Sequence, residues 1–539
     1  MTSSPTSLTQ HDRRLSLVFA VTLLAYAAVA IGFYLFSDFR QVLESVPDDV
    51  FYFLKTAQSM AQGRGMTFDG IDPTNGFQPL WLFALVPIYW IHAGEPEAMT
   101  RAMLILQVLT LTGIGWLLHV TLRRVLSAAA ATIFGLAYVF AIVAPGANGM
   151  ESTMLIGALA LLFVFVLNAQ PFTRYSALPS LVTGVLLGLV FLARLDHVFL
   201  PLLIFMVGGV LFLFHGERRR EHFWRYLLMG VGFAAVILPY LIHNALYFDG
   251  IMPMSGKLKS TFPHIALAPK TLKKLGVAQT SIAVAALLYI VNYFRTRRAA
   301  ITPPEHTLRA GMAFLGAAII VHYLHTALFM QWGVFGWHFI AYNLFLCVLL
   351  GDLAWRYRAL LAPKLLWAAL FVMISAGAAW TASTGLEHEY NAASYDAAQW
   401  AKQNTPADAI FAQKDTGTFG YFSERRTINL DGLVNNVNYQ DTLRSGMLHE
   451  YFANRGVDYL IFHAFSAYPK VAGDYSAFPL AYWSYMYKVN SDTLYFARRH
   501  EVFRTREYLD GATTRPYMLC VWDLPRVLSE QDSLRAPTH

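Results

Sequence analysis

The amino-acid sequence predicts a polytopic α-helical membrane protein of about eleven transmembrane helices, followed by a small C-terminal α/β domain. Three observations carry this prediction. The 539 residues are 56% hydrophobic and only 14% charged, a balance that a soluble domain of this length cannot keep in solution. Apolar runs long enough to span a bilayer recur up to Thr384. Beyond Thr384 charged residues become frequent, and helix-like and strand-like patterns alternate.

The predicted spans are apolar runs close to the roughly 20 residues that a spanning helix needs. They lie at 15–36, 101–122, 127–146, 152–168, 178–193, 197–214, 226–247, 277–294, 308–330, 338–353 and 364–384. One further apolar segment, 79–92, is short, contains an internal proline and ends at Trp and His. These features favour a helix that lies in the membrane interface or re-enters it, rather than one that crosses.

The positions of Lys and Arg support this count, because short cytoplasmic loops collect basic residues. With the N-terminus inside, all predicted cytoplasmic segments are basic: 11–14, 123–124, the loop with Arg174, 216–225, 295–298 and 355–364. Counting 79–92 as a span would move two of these loops outside. The predicted organisation is therefore a cytoplasmic tail (1–14), a transmembrane module (15–384) whose first outer loop is 37–100, and an outer α/β domain (385–539).

Composition also excludes several classes of protein. The net charge of +7 is modest and its basic residues cluster between apolar runs, so they indicate topology and no nucleic-acid partner. The two cysteines, Cys347 and Cys520, provide neither a disulfide framework nor a metal-binding spacing. The first apolar run is longer than the core of a signal peptide, and we interpret it as an uncleaved first span.

Two adjacent acids, Asp48 and Asp49, follow the first span in "SVPDDVFYF". Ser45 and Pro47 fit a helix start, so a capping role is one interpretation of Asp48. Two acids at a membrane edge nevertheless exceed what a cap requires, since desolvation makes them costly. One of these carboxylates could instead accept a proton from a hydroxyl as a general base. The pair could also hold a divalent cation such as Mg²⁺, Mn²⁺ or Ca²⁺.

Other ionisable residues fall at span ends on the same predicted face. Glu151 follows "GANGM" where a span begins, a position at which an acid is also ordinary helix chemistry. Arg194 and Asp196 in "ARLDH" lie between two apolar runs, where they could line a polar site or simply pair with each other. His197 is a secondary candidate, because a structural histidine is the commoner case.

Basic and aromatic residues complete the set of candidates. Lys257 and Lys259 in "MPMSGKLKS" suit a phosphate group, although a solvated basic loop is the alternative. His338 and Trp337 could stack on a sugar or belong to an interfacial aromatic belt. The stretch "DTGTFGYFSERRTINLDGL" predicts a turn, a helix and a strand; its Asp431 either faces the membrane site or forms a turn.

The segment "DDVFYFLKTAQSMAQGRGMTFDGIDPTNGFQPLW" resembles the first outer loop of bacterial GT-C superfamily glycosyltransferases. This group includes protein O-mannosyltransferases, aminoarabinose transferases and mycobacterial arabinofuranosyltransferases. "NGME", "ARLDH", "MPMSGKLKS" and "GYFSERRTINLDGLVN" resemble further segments of bacterial members in the same order. The resemblance covers residues 15–470 in patches.

The resemblance implies an enzyme that transfers a sugar from a polyprenyl-phosphate donor to an acceptor hydroxyl, with inversion, on the periplasmic face of the bacterial inner membrane. In that family an acid of the first outer loop is the catalytic carboxylate, here Asp48 or Asp49. We favour Asp48, because relatives often replace the second acid by Glu. Lys257, Lys259 and Arg194 become candidates for the donor phosphate. The acceptor could be a glycan, a lipid or a protein, and no cofactor is required beyond a possible divalent cation.

Three other functions compete with this one. A ligase or polymerase of lipid-linked glycans would also use outer loops, but with a diphosphate carrier. A lipid or sugar transporter would need polar residues along the middles of its spans. A non-catalytic anchor for the α/β domain would need neither so many spans nor the acids beside them.

Overall fold

A series of α-helices forms the membrane module. The structure, a computed structural model, describes residues 9–91, 94–173, 175–214, 216–267, 269–296, 302–330, 334–358, 389–436, 438–465, 470–472, 475–479, 493–509 and 516–531. The helices of the module are α1 (Gln10–Phe36), α2 (Phe39–Glu44), α3 (Asp49–Ala61), α4 (Pro79–Ile91), α5 (Pro96–Val125), α6 (Ala128–Tyr138), α7 (Ala144–Gly146), α8 (Ser152–Ala169), α9 (Ala177–Ala193), α10 (Phe199–Phe214), α11 (Arg219–Tyr247), α12 (Met254–Lys259), α13 (Pro269–Lys274), α14 (Val277–Thr296), α15 (Pro303–Phe329) and α16 (Asn343–Arg356).

Eight helices in the described part of the chain are long and apolar enough to cross a membrane. They are α1, α5, the continuous stretch from α6 to α7, α8, α10 with the turn before it, α11, α14 and α15. Two further predicted spans, 178–193 and 338–353, correspond to the shorter helices α9 and α16. Three predicted features lie outside the described residues: Arg174, the span 364–384 and the boundary at 385. The predicted fold class, a polytopic helical membrane protein with a C-terminal α/β domain, is confirmed.

Helix α4 stays on one side of the module, as the sequence predicts for 79–92. The end of α1 lies beside the start of α5, because the Arg101 side chain donates hydrogen bonds to the carbonyls of Tyr34 and Ser37. The chain therefore leaves and re-enters the module at the same end. Between these points Trp81 of α4 donates its indole N–H to the Gly149 carbonyl (3.0 Å), which lies at that same end. A crossing helix at this point would place α5 in the opposite direction.

Outer-loop segments from distant parts of the sequence meet at one end of the module, here called the site end. Tyr34, near the end of α1, donates its hydroxyl proton to the Ala147 carbonyl ahead of α8 (2.7 Å). Ser152, at the start of α8, donates to the Trp337 carbonyl ahead of α16 (3.2 Å). The predicted convergence of these loops on one face is therefore present in the helix packing.

The opposite end of the module carries basic residues of the described loops and also a buried ion cluster. Arg123, at the end of α5, donates to the Ser16 hydroxyl near the start of α1 (3.1 Å). The fully buried Asp352 of α16 pairs with Arg356 on its own helix and lies 3.9 Å from Arg309 of α15. This cluster joins α15 to α16, and none of its residues is among the candidates nominated from the sequence.

The C-terminal domain combines a mixed sheet with short helices. Its described helices are α17 (Glu389–Asn404), α18 (Gly417–Phe422), α19 (Tyr439–Ser445), α20 (Leu448–Arg455) and α21 (Leu524–Ser529). Its strands are β1 (Ile410–Gln413), β2 (Arg426–Asn429), β3 (Tyr459–Phe465), β4 (Lys470–Ala472), β5 (Tyr475–Pro479), β6 (Thr493–Ala497), β7 (Glu501–Arg504), β8 (Tyr508–Leu509) and β9 (Pro516–Asp523). The turn, helix and strand predicted over "DTGTFGYFSERRTINLDGL" correspond to α18 and β2.

The main sheet has the strand order β2-β1-β3-β9-β7, with β8 also paired to β9, and a second sheet has the order β4-β5-β6. Strand β1 runs parallel to β2 and β3, with Phe411 opposite Thr427 and Tyr459, whereas β9 is antiparallel to β3. Parallel pairing of β1 and β2 requires a crossover between them, and α18 provides it. The start of α18 lies against the site end of the membrane module, where the N–H groups of Gly417 and Thr418 donate to Asp48.

Candidate active site

A cavity of about 270 Å³ opens at the site end, between the first outer loop and the ends of the spans. Six of the ten ionisable residues that the sequence nominates line it: Asp49, Glu151, Arg194, Asp196, Lys259 and His338. The other four candidates, Asp48, Lys257, His197 and Asp431, do not line it. The wall also contains many apolar side chains, among them Phe53, Phe77, Phe199 and Phe262. The site thus joins a few charges to a largely apolar chamber, as ligand sites commonly do.

Asp49 is the only one of the two adjacent acids that faces the cavity, among the residues that the structure describes. It occupies the first turn of α3, and burial is the main cause that raises the pKa of its carboxyl group. The nearby Lys259 ammonium lowers that pKa, and the Asp431 carboxylate raises it. A buried carboxylate with a raised pKa and one cationic neighbour is suited to accept a proton.

Asp48 points toward the C-terminal domain instead. Its Oδ2 accepts a hydrogen bond from the Gly417 N–H (2.8 Å), and its Oδ1 accepts from the Thr418 N–H and the Thr418 hydroxyl (2.7 Å each). Burial raises the pKa of Asp48 to about 7 although these three donors oppose the shift. The preference for Asp48 over Asp49 as the catalytic acid therefore has no support in the geometry.

Asp48 caps a helix, but not the helix that the sequence predicts. Ser45 ends α2, where its hydroxyl donates to the Val42 carbonyl (2.7 Å), so it does not start α3. Asp48 precedes α3 but its side chain makes no capping hydrogen bond to that helix. It caps α18, whose sequence lies far away, and no local pattern predicts such a contact.

Arg194 lies at the centre of a buried ion cluster. Its guanidinium donates to Glu151 Oε1 (2.6 Å), to Asp196 Oδ1 (3.0 Å) and to Asp196 Oδ2 (2.5 Å). Asp196 Oδ1 also lies 2.8 Å from Nδ1 of His197, and its Oδ2 lies 3.6 Å from Nε2 of His322. The pairing of Arg194 with Asp196, one of the two interpretations of "ARLDH", is thus present, and Glu151 completes it. The Arg194 guanidinium, a candidate for binding the donor phosphate, is therefore already paired with the carboxylates of Glu151 and Asp196.

The two lysines of "SGKLKS" separate because their segment is helical. Positions i and i+2 of an α-helix do not share a face, and both residues lie in α12. Lys259 therefore lines the cavity, whereas Lys257 is exposed and donates its ammonium proton to the Asp249 carbonyl (3.0 Å). The predicted phosphate-binding pair is reduced to Lys259.

The remaining candidates have mainly structural contacts. Asp431 Oδ2 accepts from the Asp415 N–H and from the Asn429 amide, and its Oδ1 accepts from the Leu433 N–H, each at 3.0 Å. This is the turn-forming alternative. His338 lines the cavity next to Trp337 in a 3₁₀ turn, and the ring of Phe335 stacks on Trp337 at a centroid distance of 4.5 Å.

Several cavity residues were not found by sequence reasoning. His322 and His325 of α15 line the cavity, although the sequence places them inside an apolar run. Ionisable residues within a span are a signal of function that could have identified them. Gln78 also lines the cavity, and its Oε1 accepts a hydrogen bond from the Leu195 N–H (3.0 Å), which fixes the turn that carries Asp196.

The possible divalent cation remains a prediction. Among the described residues no group of three or more His, Cys, Asp or Glu side chains is arranged to hold a metal ion. Asp49 and Glu151 each line the cavity, but they do not converge with a third ligand in this structure.

Comparisons with known proteins place this geometry in context. A family model described as a domain of unknown function (DUF8728) matches residues 383–507. No curated protein matches the sequence significantly. Solved structures resemble the chain in fold, and the identity is below 15% for three of them.

The first is the Archaeoglobus fulgidus oligosaccharyltransferase in complex with zinc and sulfate, with 14% identity and a TM-score of 0.50 over 81% of this chain and 67% of that one. The second is ArnT from Cupriavidus metallidurans bound to undecaprenyl phosphate, with 11% identity and a TM-score of 0.50 over 94% and 97% of the two chains. The same ArnT in its apo state gives 13% identity and a TM-score of 0.52 over 94% and 98%.

The ArnT structures cover the membrane module and the C-terminal domain together, since 94% of the chain aligns with them. The resemblance seen in the sequence motifs of the outer loops is confirmed at the level of fold. The chain has the fold of the Archaeoglobus fulgidus oligosaccharyltransferase and of ArnT from Cupriavidus metallidurans.

Proposed function

We propose that the protein is an inverting glycosyltransferase that moves a sugar from a polyprenyl-phosphate donor to an acceptor hydroxyl at the periplasmic face of the bacterial inner membrane. The observation that carries this proposal is one cavity, at the ends of the spans, lined by both the Asp49 carboxylate and the Lys259 ammonium. A structure of similar fold, that of ArnT, holds undecaprenyl phosphate, which supports a lipid-phosphate donor here.

The position of the cavity suits such a donor. The prenyl chain stays in hydrocarbon, while the phosphate needs cations and hydrogen bonds at the membrane surface. Lys259 offers the cation, and apolar residues such as Phe199, Phe262 and Met330 line the same cavity. The reacting carbon is then held at the height of the headgroups, where an acceptor from the aqueous side can reach it.

The chemical step needs one base and one charge stabiliser. Asp49 accepts the proton of the acceptor hydroxyl as the oxygen attacks the anomeric carbon from the side opposite the phosphate. A new C–O glycosidic bond forms, the bond between the anomeric carbon and the phosphate oxygen breaks, and polyprenyl phosphate leaves with the electron pair. Lys259 stabilises the charge that grows on the phosphate. A single displacement of this kind inverts the configuration of the sugar.

The function is tested by offering purified protein a panel of radiolabelled donors. We expect label transfer to a hydroxyl acceptor from a polyprenyl-phosphate sugar and none from a nucleotide sugar alone. Glycan, lipid and peptide acceptors are tested in parallel. Full turnover from a nucleotide sugar would contradict the donor class. Transfer of a preassembled glycan from a diphosphate carrier would favour a ligase, and flux into vesicles without any transfer would favour a transporter.

The two lysines of α12 give the first prediction. Lys259→Met should lower kcat/KM for the donor by about tenfold to a hundredfold, because a charge-assisted contact to the phosphate is worth roughly 1.5–3 kcal/mol. Lys257→Met is the matched control, since Lys257 has the same charge on the same short helix but lies outside the cavity. Steady-state kinetics should leave this control within about twofold of wild type. Equal losses of kcat/KM in the two variants would contradict a specific role for Lys259 in donor binding.

The pH dependence gives the second prediction. The base must be ionised, so kcat/KM should rise with pH, and burial should place the midpoint above the usual aspartate pKa of about 4. The Lys259 ammonium lowers the pKa of Asp49, so Lys259→Met should move the midpoint to higher pH. Profiles of kcat/KM against pH for both proteins measure this shift. A midpoint that stays in place, or moves to lower pH, would contradict Asp49 as the ionising base.

A further inference from the structure

We propose that Asp48 is a positioning residue: it binds the first residues of α18 and so makes the docked C-terminal domain part of the catalytic unit, holding Asp49 in the cavity. The inference rests on the proposed function and deepens it. It assigns separate tasks to the two adjacent acids and gives the C-terminal domain a role in catalysis beyond that of an appended module.

The contact itself is a charge-assisted set of hydrogen bonds. Three donors from two consecutive residues, Gly417 and Thr418, converge on the two carboxylate oxygens of Asp48 at 2.7–2.8 Å. When Asp48 is ionised these hydrogen bonds are charge-assisted, and such bonds are shorter and stronger than neutral ones. Asn391 Oδ1 of α17 lies 3.1 Å from the Thr418 hydroxyl and is the alternative acceptor for its single proton.

The close approach leaves room only for glycine at 417. A Cβ atom added to Gly417 would lie 2.1 Å from the Asp48 carbonyl oxygen and 2.9 Å from Asp48 Oδ2. Both distances are shorter than real Cβ contacts allow, and the nearer atom belongs to the backbone. The first residue of α18 therefore fits directly against the backbone at the start of α3, which carries Asp49 in its first turn.

Further contacts hold both sides of Asp49. On the N-terminal side, the Asn391 amide donates to the carbonyls of Leu43 (3.0 Å) and Val46. On the C-terminal side, the Tyr52 hydroxyl accepts from the Thr416 N–H at 3.1 Å and from the Asn429 amide at 3.2 Å.

The segment from 43 to 52 is thus bonded to the C-terminal domain before, at and after Asp48. Asp49 lies inside that segment and itself faces the cavity. Loss of the Asp48 contact should therefore loosen the base without removing it, and should leave the donor contact at Lys259 in place.

The test uses the full chain in detergent or nanodiscs and compares Asp48→Asn, Thr418→Val and the double variant. Thr427→Val is the matched control, because Thr427 is an equally buried threonine of the same domain whose hydroxyl contacts only the Arg425 carbonyl among the described hydrogen bonds. Two quantities are measured: kcat and KM for the donor, and amide hydrogen exchange over 415–423 in the absence of donor.

We expect Asp48→Asn to lower kcat by about tenfold to a hundredfold and Thr418→Val by about three- to tenfold, with KM for the donor unchanged. Exchange over 415–423 should become faster in both. The double variant should be no worse than Asp48→Asn alone, because both changes break one network. The midpoint of the pH profile should stay in place in Thr418→Val, since Asp49 remains the base. The control should match wild type in every measurement.

Other outcomes overturn the inference in distinguishable ways. Unchanged exchange in Asp48→Asn rejects the docking contact, whether or not any transfer is observed. Loss of all activity in Asp48→Asn with wild-type behaviour in Thr418→Val assigns the base to Asp48. Absence of transfer by the wild-type protein from every polyprenyl-phosphate sugar rejects the proposed function and this inference with it, while the exchange data still report the docking by themselves.

Discussion

Asp49→Asn is expected to lower kcat by about 10²- to 10⁴-fold, the usual contribution of a positioned general base. The substitution keeps the size of the side chain and removes its ability to accept a proton in the chemical step. KM for the donor should change little, because Lys259 and the apolar wall of the cavity remain. Single-turnover transfer from a labelled polyprenyl-phosphate sugar measures the effect directly.

Asp48→Asn is the matched comparison for this prediction, since it is the same substitution at the adjacent position and should cost less activity than Asp49→Asn. We expect it to retain measurable turnover and the pH midpoint of the wild-type protein, because Asp48 contacts Gly417 and Thr418 and does not line the cavity. The reverse ranking, with Asp49→Asn the more active of the two, would contradict the assignment of the base.

Arg194→Met is expected to destabilise the folded protein by about 3–5 kcal/mol, the usual cost of removing one partner from a buried ion pair. Arg194 and Glu151 are each 4% exposed at their side chains. Removal of the guanidinium leaves Glu151 and Asp196 without their common cation in a poorly solvated site. The midpoint of thermal unfolding in detergent, followed by intrinsic fluorescence, should fall accordingly.

The comparison for this variant is Arg526→Met. Arg526 pairs with Asp523 at 3.1 Å, but its side chain is 68% exposed, and an exposed ion pair contributes at most about 1 kcal/mol. Arg194→Lys should recover only part of the loss, because a single ammonium cannot reproduce the bidentate contact to Asp196 together with the bond to Glu151. Equal stability of Arg194→Met and wild type would show that the cluster is dispensable.

The sequence predicts the architecture well, because the same two properties, hydrophobicity and loop charge, decide which segments enter the membrane and in which direction. Run length and basic loops identify the long spans and exclude 79–92 as a crossing helix. Acids and bases at span ends identify six residues that line the cavity. These are local or statistical properties of the chain, so they can be recognised without knowledge of long-range contacts.

The details of the site depend on geometry that no local pattern contains. The choice between Asp48 and Asp49 follows from Gly417 and Thr418, more than 360 positions away in the chain. Lys257 and Lys259 would share a face in an extended loop and are separated only because α12 is helical. His322 lines the cavity although it lies within an apolar run, and hydropathy alone does not identify it as a site residue.

The central claim is that a lipid-borne phosphate meets Lys259 while the sugar carbon faces Asp49, in a cavity at the site end of the module. A structure determined with a non-transferable polyprenyl-phosphate sugar analogue tests it most directly. We predict the phosphate within about 4 Å of Lys259 Nζ, the range of an ion pair, and the anomeric carbon turned toward the Asp49 carboxylate. A phosphate bound beside Lys257, a sugar turned toward Asp48, or a ligand at the opposite end of the module would contradict this mechanism.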